Sequence, residues 1–384
     1  MRNKIGVYIH FPYCEKKCPY CDFNSHVTKK IEHERFLEAY KKDFDHHFAQ
    51  LSQKPELESI FFGGGTPSLM ESFVVEGIID YIKNRFRENG NVISPQFEVT
   101  LEANPSSFEV EKFRDFKVAG VNRISIGVQS FISEDLQKLG RVHNKTQAID
   151  AILHASKIFD RVSFDLIYAR EGQLIQNWRD ELNFALHKFN PSHISLYSLT
   201  IEKGTEFFKM QSDGKLSIPK NQEEFYDTTN EICAEFGLNR YEISNYAKEN
   251  YECKHNILYW QMGEYIGIGA GSHGRINTTN GRIATMNFNA PEKYLLSIEK
   301  NGNALQINEV IDAKTIATEQ ITTGLRTIYG FETYNIEQFL TMEKVKILEQ
   351  EGLITHTNDR IIPTNKGLSL CDGIAKFIFR NQPL

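Results

Sequence analysis

Short apolar runs alternate with longer amphipathic stretches through the first half of the chain. The apolar runs predict β-strands at residues 5–9, 59–62, 97–101, 123–128, 162–167 and 193–198. The stretches between them predict helices at residues 31–51, 70–86, 108–119, 146–159 and 174–189. Strands that alternate with helices at this spacing indicate βαβ units and a parallel sheet. The pattern therefore predicts an α/β fold, a barrel or partial barrel whose function lies at the carboxyl ends of the strands.

The pattern changes after residue 202. It predicts a helix at 221–236 and short β-like pieces at 241–246, 265–268 and 282–288. After Asn301-Gly302-Asn303, helices near 313–327 and 336–351 precede a β-ribbon through 352–354 and 360–364, and a last helix begins at Asn365. This order is winged-helix-like, and because the unit is not strongly basic we favour a packing role over DNA binding. We predict a core domain at 1–220, a linking α/β segment at 221–300 and a mainly helical C-terminal domain at 301–384.

Composition is that of an ordinary globular protein. The 384 residues carry a net charge of −6 with mixed signs, which argues against general affinity for nucleic acid. The N-terminus lacks a signal-peptide pattern, and no apolar run approaches the roughly 20 residues that cross a bilayer. Three of the six cysteines are scattered singly along the chain. This pattern argues against a protein of an oxidising compartment, where disulfides form. We expect a cytoplasmic protein.

The other three cysteines, Cys14, Cys18 and Cys21, lie in one short loop directly after the first strand. Four soft ligands close a structural zinc site, whereas three thiolates leave one coordination position open. A 4Fe–4S cluster held by three cysteines would keep one iron free for another ligand. A zinc knuckle and purely apolar cysteines are the alternatives, and a disulfide framework fits an odd number poorly. No second Cys-x-x-Cys follows, so the spacing favours the cluster.

A glycine triplet, Gly63-Gly64-Gly65, follows the second strand and runs into Thr66. Consecutive glycines let backbone groups approach a ligand closely, although a triplet alone is more often a tight turn. Glu102 and Asp165 each end an apolar strand, where a carboxylate is unfavourable unless it is solvated, paired or bound to a ligand. An ion pair between Asp165 and Arg141 is the structural alternative to ligand contact.

Together these residues resemble the radical S-adenosylmethionine (SAM) superfamily. The resemblance rests on Cys-x₃-Cys-x₂-Cys after the first strand, Gly-Gly-Thr-Pro after the second, and the segments 123–131, 139–143, 241–247 and 267–273. It covers nearly the whole chain and is strongest for the branch that holds oxygen-independent coproporphyrinogen III oxidases (HemN type) and haem chaperones (HemW). It implies a (β/α)6 partial TIM barrel with a smaller C-terminal domain.

The resemblance also implies cofactors and ligands. Cys14, Cys18 and Cys21 would bind three irons of a 4Fe–4S cluster, and SAM would chelate the fourth through its amino and carboxylate groups. Positions that match contacts to the cluster-bound SAM are Tyr8, Tyr20, Gly64 and Glu102. Positions that match contacts to a second SAM are Gly65, Thr66, Gln129, Arg141 and Asp165. Each has a plain structural alternative, since the tyrosines could simply pack and Gln129 could satisfy backbone at a strand end.

Two departures from the oxidase pattern favour the haem chaperones. Phe23 stands where the oxidase motif has a further cysteine, and the oxidase's N-terminal extension is absent. The segment His255-Asn256-Ile257-Leu258-Tyr259-Trp260 matches the H-N-x-x-Y-W motif of the chaperone group. By this match His255 is a candidate axial ligand of haem iron, and Tyr259 and Trp260 could form a flat wall against the macrocycle. A helical segment would place His255 and Tyr259 on one face.

The function that the resemblance favours is haem trafficking, in which haem is bound and passed to acceptor apoproteins with the cluster and SAM in support. Oxygen-independent conversion of coproporphyrinogen III to protoporphyrinogen IX is the enzymatic alternative. Electron transfer by the cluster without SAM is a third. Implied partners are haem, haem-accepting apoproteins such as membrane-bound respiratory subunits, an electron donor and a second copy of the chain in a homodimer, but not nucleic acid.

Overall fold

The computed structural model describes residues 3–334, 336, 339–357 and 359–380, apart from the side chains of residues 107 and 108. Residues 337 and 338 of the helix predicted at 336–351 therefore lie outside the described residues, as do the chain ends of the predicted first and last domains.

The first half alternates strands and helices as predicted. All six predicted strands and all five predicted helices form, the helix expected at 108–119 as two short ones. In chain order the elements are β1 Lys4–Phe11, β2 Tyr13–Cys14, β3 His26–Val27, α1 His33–Phe48, β4 Glu56–Gly64, α2 Ser72–Glu88, β5 Ile93–Ala103, α3 Ser107–Glu111, α4 Phe113–Val118, β6 Arg123–Gln129, α5 Ser133–Lys138, α6 Lys145–Ala155, β7 Arg161–Tyr168, α7 Ile175–Phe189 and β8 His193–Ser198.

The second half is less regular. Its elements are α8 Glu206–Ser212, α9 Gln222–Glu235, β9 Asn239–Arg240, β10 Asn245–Ala247, α10 Lys254–Trp260, β11 Glu264–Ile268, β12 His273–Thr278, β13 Gly281–Asn287, α11 Pro291–Asn301, β14 Leu305–Val310, α12 Ala313–Gly324, β15 Phe331–Glu332, α13 Met342–Gln350, β16 Ile354–His356, β17 Arg360–Pro363, α14 Asn365–Ser369 and α15 Cys371–Phe379. The last unit follows the predicted order of helix, helix, β-ribbon and helix. The β-like piece expected at 241–246 is a strand only at β10, beginning at Asn245.

One curved sheet of twelve strands forms the body of the molecule, in the order β14-β13-β12-β11-β1-β4-β5-β6-β7-β8-β10-β9. Its centre, from β11 to β8, is parallel, and both flanks are antiparallel. The α/β prediction is confirmed, and the carboxyl ends of the parallel strands meet at one rim. The sheet continues to Val310, past the domain boundary predicted at 300.

Alternation along the strands separates an apolar outer face from a polar inner one. On β5, Val99 and Leu101 join the core beneath the helices, while Thr100 and Glu102 face inward. Thr100 accepts a hydrogen bond from the buried Arg123 of β6 at 3.4 Å, which shows that these side chains share the inner face. Successive strand residues point to opposite faces, so the inner polar positions fall within runs that are otherwise apolar.

Two large hydrophobic cores and two small clusters of buried apolar residues lie in the described part of the chain. The larger core lies between the twelve-stranded sheet and its helices and extends from Ile5 to Ala304. The smaller core extends from Ala317 to Ile378 and packs α12, α13 and α15 against the three-stranded sheet β15-β17-β16. Within the described residues, no helix combines the length and apolar character that crossing a bilayer requires.

Candidate functional site

The cysteine loop begins at the carboxyl end of β1 and is closed by a short parallel pairing of β2 with β3. Inside it, the Cys21 amide donates to the carbonyl oxygen of Cys18 at 3.1 Å. Cys14, Cys18 and Cys21 are free, partly exposed thiols that line one cavity of about 380 Å³, which we call the cysteine cavity. All three cysteines of the loop therefore line one space at the rim of the sheet.

Donor groups around these sulfur atoms suit thiolates. The Thr66 hydroxyl donates to Sγ of Cys14 at 3.4 Å, and a guanidinium nitrogen of Arg141 donates to Sγ of Cys18 at 3.5 Å. Burial raises the pKa of the Cys14 and Cys21 thiols, so that metal charge is needed to keep them ionised. Hydrogen bonds to ligand sulfur atoms are the usual support of a metal site.

The donor set, three thiols that line one cavity, fits a cluster that takes three protein ligands. Among the described residues, no three His, Cys, Asp or Glu side chains are grouped to hold one metal ion. In a 4Fe–4S cluster each cysteine binds a different iron, so its sulfur atoms stand further apart than the ligands of one ion. Three thiols that line one cavity are consistent with a cluster of this kind.

The glycine loop packs directly against the cysteine loop. Amide groups of Gly65 and Thr66 donate to the carbonyl oxygens of Phe11 and Tyr13 at 2.7 and 2.8 Å. A Cβ on Gly65 would lie 2.5 Å from the Tyr13 oxygen. Gly64 has φ +111°, and a Cβ there would lie 2.7 Å from the His10 ring. Only glycine fits these two positions, so the triplet brings the ends of β1 and β4 together.

Eight of the nine predicted SAM positions line the cysteine cavity. They are Tyr20, Gly64, Gly65, Thr66, Glu102, Gln129, Arg141 and Asp165. Tyr8 is not part of this wall. Its hydroxyl is 3.1 Å from Nδ1 of His10, and its ring stacks on Phe61 with the ring centres 6.2 Å apart. Tyr8 thus lies beneath the cavity, on the inner face of β1.

Two carboxylates face each other across the cavity. Burial, and next the charge of Asp165, raises the pKa of Glu102 to about 8, although the Gly64 amide donates to its carboxylate. Burial raises the pKa of Asp165 to about 6, against hydrogen bonds from Ser195 and Ser125 that lower it. Each carboxylate therefore holds its proton more tightly than usual, and a cationic ligand would favour the ionised forms.

Arg141 does not neutralise Asp165. Within the described residues the two form no ion pair, and the Arg141 guanidinium instead donates to the Gly127 carbonyl at 2.8 Å, to Asn104 and to Cys18. The pairing that we weighed as an alternative is thus absent. The amide of Asn104 also donates to the Thr66 hydroxyl at 3.1 Å, so Asn104 joins the two side chains that contact cysteine sulfur. Sequence reasoning missed Asn104, although its place just after β5 was a usable signal.

Gln129 ends β6 in a left-handed conformation, φ 69°, next to a register shift against β7. Such a conformation is unfavourable for a residue with a side chain and is concentrated at functional sites. Its carbonyl oxygen accepts from the buried Arg170 at 3.4 Å, which holds the irregular backbone in place. The Gln129 side chain is thereby held at the cavity wall rather than along the strand.

The H-N-x-x-Y-W segment is helical, as α10, and His255 and Tyr259 lie on one face as predicted. The His255 ring is 1% exposed and both nitrogens are engaged, Nδ1 with the Ser59 hydroxyl at 2.8 Å and Nε2 with the Tyr259 hydroxyl at 2.7 Å. Burial lowers the pKa of His255 to about 3. Axial ligation of haem iron through Nε2 would require the hydrogen bond to Tyr259 to break, and it stays a prediction.

Tyr259 and Trp260 line a second cavity of about 560 Å³, which we call the aromatic cavity. Tyr259 packs against Tyr265 with the ring centres 4.3 Å apart, and His255 lies behind Tyr259 rather than on the wall. Tyr197, at the end of β8, lines both cavities. Sequence reasoning missed Tyr197, since an exposed strand end gives no sign of which cavity it reaches.

Comparison with known proteins gives consistent relatives. The family model described as the Radical SAM superfamily matches residues 8–185. A curated protein named "Heme chaperone HemW" from Buchnera aphidicola (subsp. Acyrthosiphon pisum, strain APS) is 34% identical over 382 residues, 98% of each chain. The protein of the same name from Escherichia coli (strain K12) is 38% identical over 283 residues, 73% of this chain and 72% of that one.

Among solved structures, coproporphyrinogen III oxidase (HemN) from Escherichia coli, described as a radical SAM enzyme, superposes with a TM-score of 0.79. The match covers 98% of this chain and 90% of that one at 20% identity. At this identity the likeness concerns the fold.

Proposed function

Because the chain belongs to the radical SAM superfamily, in its HemN/HemW branch, we propose that it is a haem chaperone that binds haem and passes it to acceptor proteins. The observation that carries the proposal is the aromatic cavity, with Tyr259 and Trp260 on its wall, next to the cysteine cavity. Relatives that span almost the whole chain and bear the name "Heme chaperone HemW" support it.

In this proposal Cys14, Cys18 and Cys21 hold a 4Fe–4S cluster. The cluster and SAM, when bound, would supply one-electron reduction of the sulfonium. Thr66 and Arg141 donate to cysteine sulfur and orient the loop. Glu102 and Asp165 offer negative charge to a ligand that carries a sulfonium group, and Glu102, which is mostly protonated at neutral pH, releases its proton as that ligand enters.

The remaining SAM positions would shape the pocket. Tyr20, Gly64, Gly65 and Gln129 form its wall, and Tyr8 supports it from beneath through His10. Close backbone approach at the two glycines gives a ligand access to main-chain donors and acceptors.

Haem would lie against Tyr259 and Trp260 in the aromatic cavity. Flat aromatic side chains bury a large apolar area against a macrocycle, while a buried tyrosine hydroxyl needs a hydrogen-bond partner. His255 supplies that partner, so that the geometry supports a role in which it fixes the orientation of Tyr259. A comparison of His255→Ala with Tyr259→Phe separates this role from iron ligation.

Coproporphyrinogen III oxidation is the competing function. Phe23 occupies the position of the further cysteine in the oxidase motif, and its side chain is 61% exposed at the mouth of the cysteine cavity. A phenyl ring offers no ligand atom there. We therefore do not favour the oxidase, although both functions would use the same cluster.

Further parts of the proposal concern organisation and partners. We propose the segments 1–220, 221–300 and 301–384 as a core domain, a linking segment and a C-terminal domain. We also propose a cytoplasmic setting, acceptor apoproteins such as respiratory subunits, an electron donor and a homodimer.

The test combines two assays on anaerobically reconstituted protein. We expect saturable haem binding by absorbance, at least about tenfold weakened in Trp260→Ala and unchanged in Tyr334→Ala, whose side chain is exposed and outside the cavity. We expect no turnover of coproporphyrinogen III with SAM and a reductant. Catalytic turnover would reject the chaperone proposal, and so would a wild type that binds no haem.

A further inference from the structure

We infer that Arg282 forms an anion subsite in the aromatic cavity and binds a carboxylate group of a flat aromatic ligand. The inference deepens the proposed function and rests on it, since for haem the carboxylate is a propionate. Arg282, which lies outside the H-N-x-x-Y-W segment, would thus select the ligand by its charged edge.

The cavity has the size and lining that such a ligand needs. About 560 Å³ is within the range of small-molecule sites, which are mostly apolar with a few placed polar groups. Tyr259, Trp260 and Tyr265 supply aromatic surface, and Ile243 and Met262 add aliphatic surface. The positively charged part of the wall comes from β12 and β13, which carry Arg275 and Arg282.

These two arginines differ in one respect. Arg275 forms an ion pair with Glu319 of α12, from Nη2 at 2.8 Å and from Nε at 3.1 Å. Arg282 forms no ion pair with a carboxylate in the described part of the chain. Its Nη2 donates to the Gly263 carbonyl at 3.1 Å, and its Nε is buried without a hydrogen-bond partner. One guanidinium of the cavity is therefore neutralised by protein and the other is not.

The charges of Glu264 and Glu319 act on Arg282 from a distance, but the hydrogen bonds of the nearby acids go to other groups. Glu264 accepts hydrogen bonds from Asn3 and from the Asn277 amide, the latter at 2.6 Å. Glu242, on the cavity wall, accepts from Asn245 and from the Ser244 amide at 3.1 Å, and burial raises its pKa to about 7. The Arg282 guanidinium thus keeps a buried donor that no carboxylate of the described residues accepts from, and a ligand carboxylate could accept from it.

Burial also lowers the pKa of Arg282, although Glu264 acts in the opposite direction. A guanidinium in such surroundings is stabilised by an anion that forms charge-assisted, bidentate hydrogen bonds. A ligand carboxylate would provide them and would be held more tightly than in water, because the surrounding rings exclude solvent.

The subsite also fixes where the ligand would lie relative to the cysteine cavity. Tyr197 forms part of both walls, so a macrocycle against Tyr259 with its carboxylate at Arg282 would stay on one side of the Tyr197 ring. The cluster and SAM would lie on the other side. Haem and SAM would then occupy neighbouring but separate spaces.

The experiment compares two ligands on the reconstituted full chain, haem and haem dimethyl ester, in which both propionates are blocked. Arg282→Met is expected to weaken haem binding about 10- to 100-fold, the loss that a charge-assisted contact implies, and to leave the affinity for the ester at the wild-type value. Arg282→Lys keeps the charge and is expected to fall between wild type and Arg282→Met. Arg179→Met, which removes an exposed guanidinium paired with Glu231 at 2.7 Å, is the matched control and should bind both ligands normally.

The outcomes separate the subsite from the proposed function. Wild-type protein that binds haem with an affinity unaffected by Arg282→Met overturns the subsite alone. Equal losses for haem and its ester, in Arg282→Met and Arg282→Lys alike, also overturn it, because they indicate a structural role. Wild-type protein that binds neither ligand overturns both the subsite and the haem-binding function. Circular dichroism and iron content, unchanged across the variants, establish that the comparison concerns folded protein.

Discussion

At the scale of single residues, the inward-facing carboxylates Glu102 and Asp165 have the clearest chemical consequence. Burial places their pKa values at about 8 and about 6. In ligand-free protein at neutral pH, Glu102 is therefore mostly protonated while Asp165 is mostly ionised. A bound sulfonium favours the ionised form of both, so ligand binding and proton release are linked.

We predict that SAM binding strengthens as pH rises from 6 to 8. Below its pKa of about 8, Glu102 must lose a proton before it can attract the sulfonium, so the measured affinity falls toward acid pH. One released proton gives at most about a tenfold change in Kd for each pH unit. Isothermal titration calorimetry of cluster-loaded protein, in buffers of different ionisation enthalpy, measures both Kd and the protons released.

Glu102→Gln is the control. This substitution should reduce the pH dependence of the Kd for SAM to the part that comes from SAM itself, and it should remove the proton that Glu102 releases. A Kd for SAM that depends equally on pH in the wild type and in Glu102→Gln would contradict the assignment of the titrating group to Glu102.

The Glu102 carboxylate also affects stability. Between its unfolded pKa of 4.5 and its folded pKa of about 8, the folded state binds more protons than the unfolded state. The free energy of unfolding must then fall as pH rises through this window.

A second residue-scale prediction concerns His255 and Tyr259. If His255 holds the Tyr259 hydroxyl, His255→Ala and Tyr259→Phe should weaken haem binding by similar factors, about 3- to 10-fold for one hydrogen bond, with the same Soret maximum. His255→Ala should also destabilise the fold by roughly 2–4 kcal/mol, because its ring is packed against Phe61 with the ring centres 5.1 Å apart. A Soret shift confined to His255→Ala would instead identify His255 as an iron ligand.

The identities of site residues could be predicted from the sequence where a motif fixed them. The surroundings of these residues were less predictable. The three cysteines and eight SAM positions share one cavity, as strand ends at one rim require. Tyr8 lies beneath that cavity and His255 behind Tyr259, because side-chain direction inside a curved sheet depends on strand tilt and register. Arg282 could not be singled out, since its lack of an acidic partner is a property of the folded chain.

At the scale of elements, the site depends on how closely the glycine loop after β4 approaches the cysteine loop after β1. Backbone hydrogen bonds from Gly65 and Thr66 hold the two loops together, and no space remains for a side chain at Gly65. The cysteine loop is therefore positioned by a neighbouring strand end as well as by its own short β2–β3 pairing.

We predict that Gly65→Ala separates the loops and lowers cluster content. The added Cβ meets the Tyr13 carbonyl oxygen at 2.5 Å, so backbone must move, at a destabilisation of roughly 1–3 kcal/mol. Iron and sulfide content after anaerobic reconstitution, together with thermal unfolding, measures both effects. Gly373→Ala is the control, since a Cβ in that helix has open space and should leave both quantities unchanged or raise stability slightly. Equal iron content in the two variants would contradict the account.

Elements with strongly apolar or amphipathic patterns were predictable, and two strands of the antiparallel flank, β12 and β14, were not. The six core strands begin and end within a few residues of the predicted positions, because burial on the sheet requires apolar runs. Strand β14 lies at the edge of the sheet and is largely exposed, and β12 alternates between small, polar and apolar residues. Their sequences carry no apolar run, and they form because β13 supplies backbone partners on both sides.

At the scale of the whole molecule, the aromatic cavity lies where the smaller hydrophobic core reaches strands of the large sheet. Ile243 packs against the smaller core and also lines the cavity, and an isolated β-bridge joins Glu242 to Thr327. Glu319 and Thr323 of α12 complete the wall. The C-terminal unit therefore contributes to the cavity directly. Fold class and element order could be predicted from the sequence, but this shared wall depends on how the two units pack.

We predict that Ile243→Ala weakens haem binding and loosens the C-terminal unit together, at roughly 1–2 kcal/mol of stability for a partly buried isoleucine. Cluster content should not change, because the cysteine cavity lies at the other side of Tyr197. Ile347→Ala, a 40% exposed position on α13 away from the cavity, is the matched control for haem binding. Normal haem affinity in Ile243→Ala would argue against the aromatic cavity as the haem site.

The central claim is that three cysteines hold a 4Fe–4S cluster with one iron open to SAM. Its most direct measurement is anaerobic iron and sulfide quantitation on the reconstituted chain, combined with electron paramagnetic resonance of the reduced cluster with and without SAM. We predict about four iron and about four sulfide per chain, a spectrum that changes when SAM is added, and loss of the intact cluster in Cys14→Ala, Cys18→Ala or Cys21→Ala. Zinc as the only bound metal, or a cluster whose spectrum SAM leaves unchanged, would contradict the account.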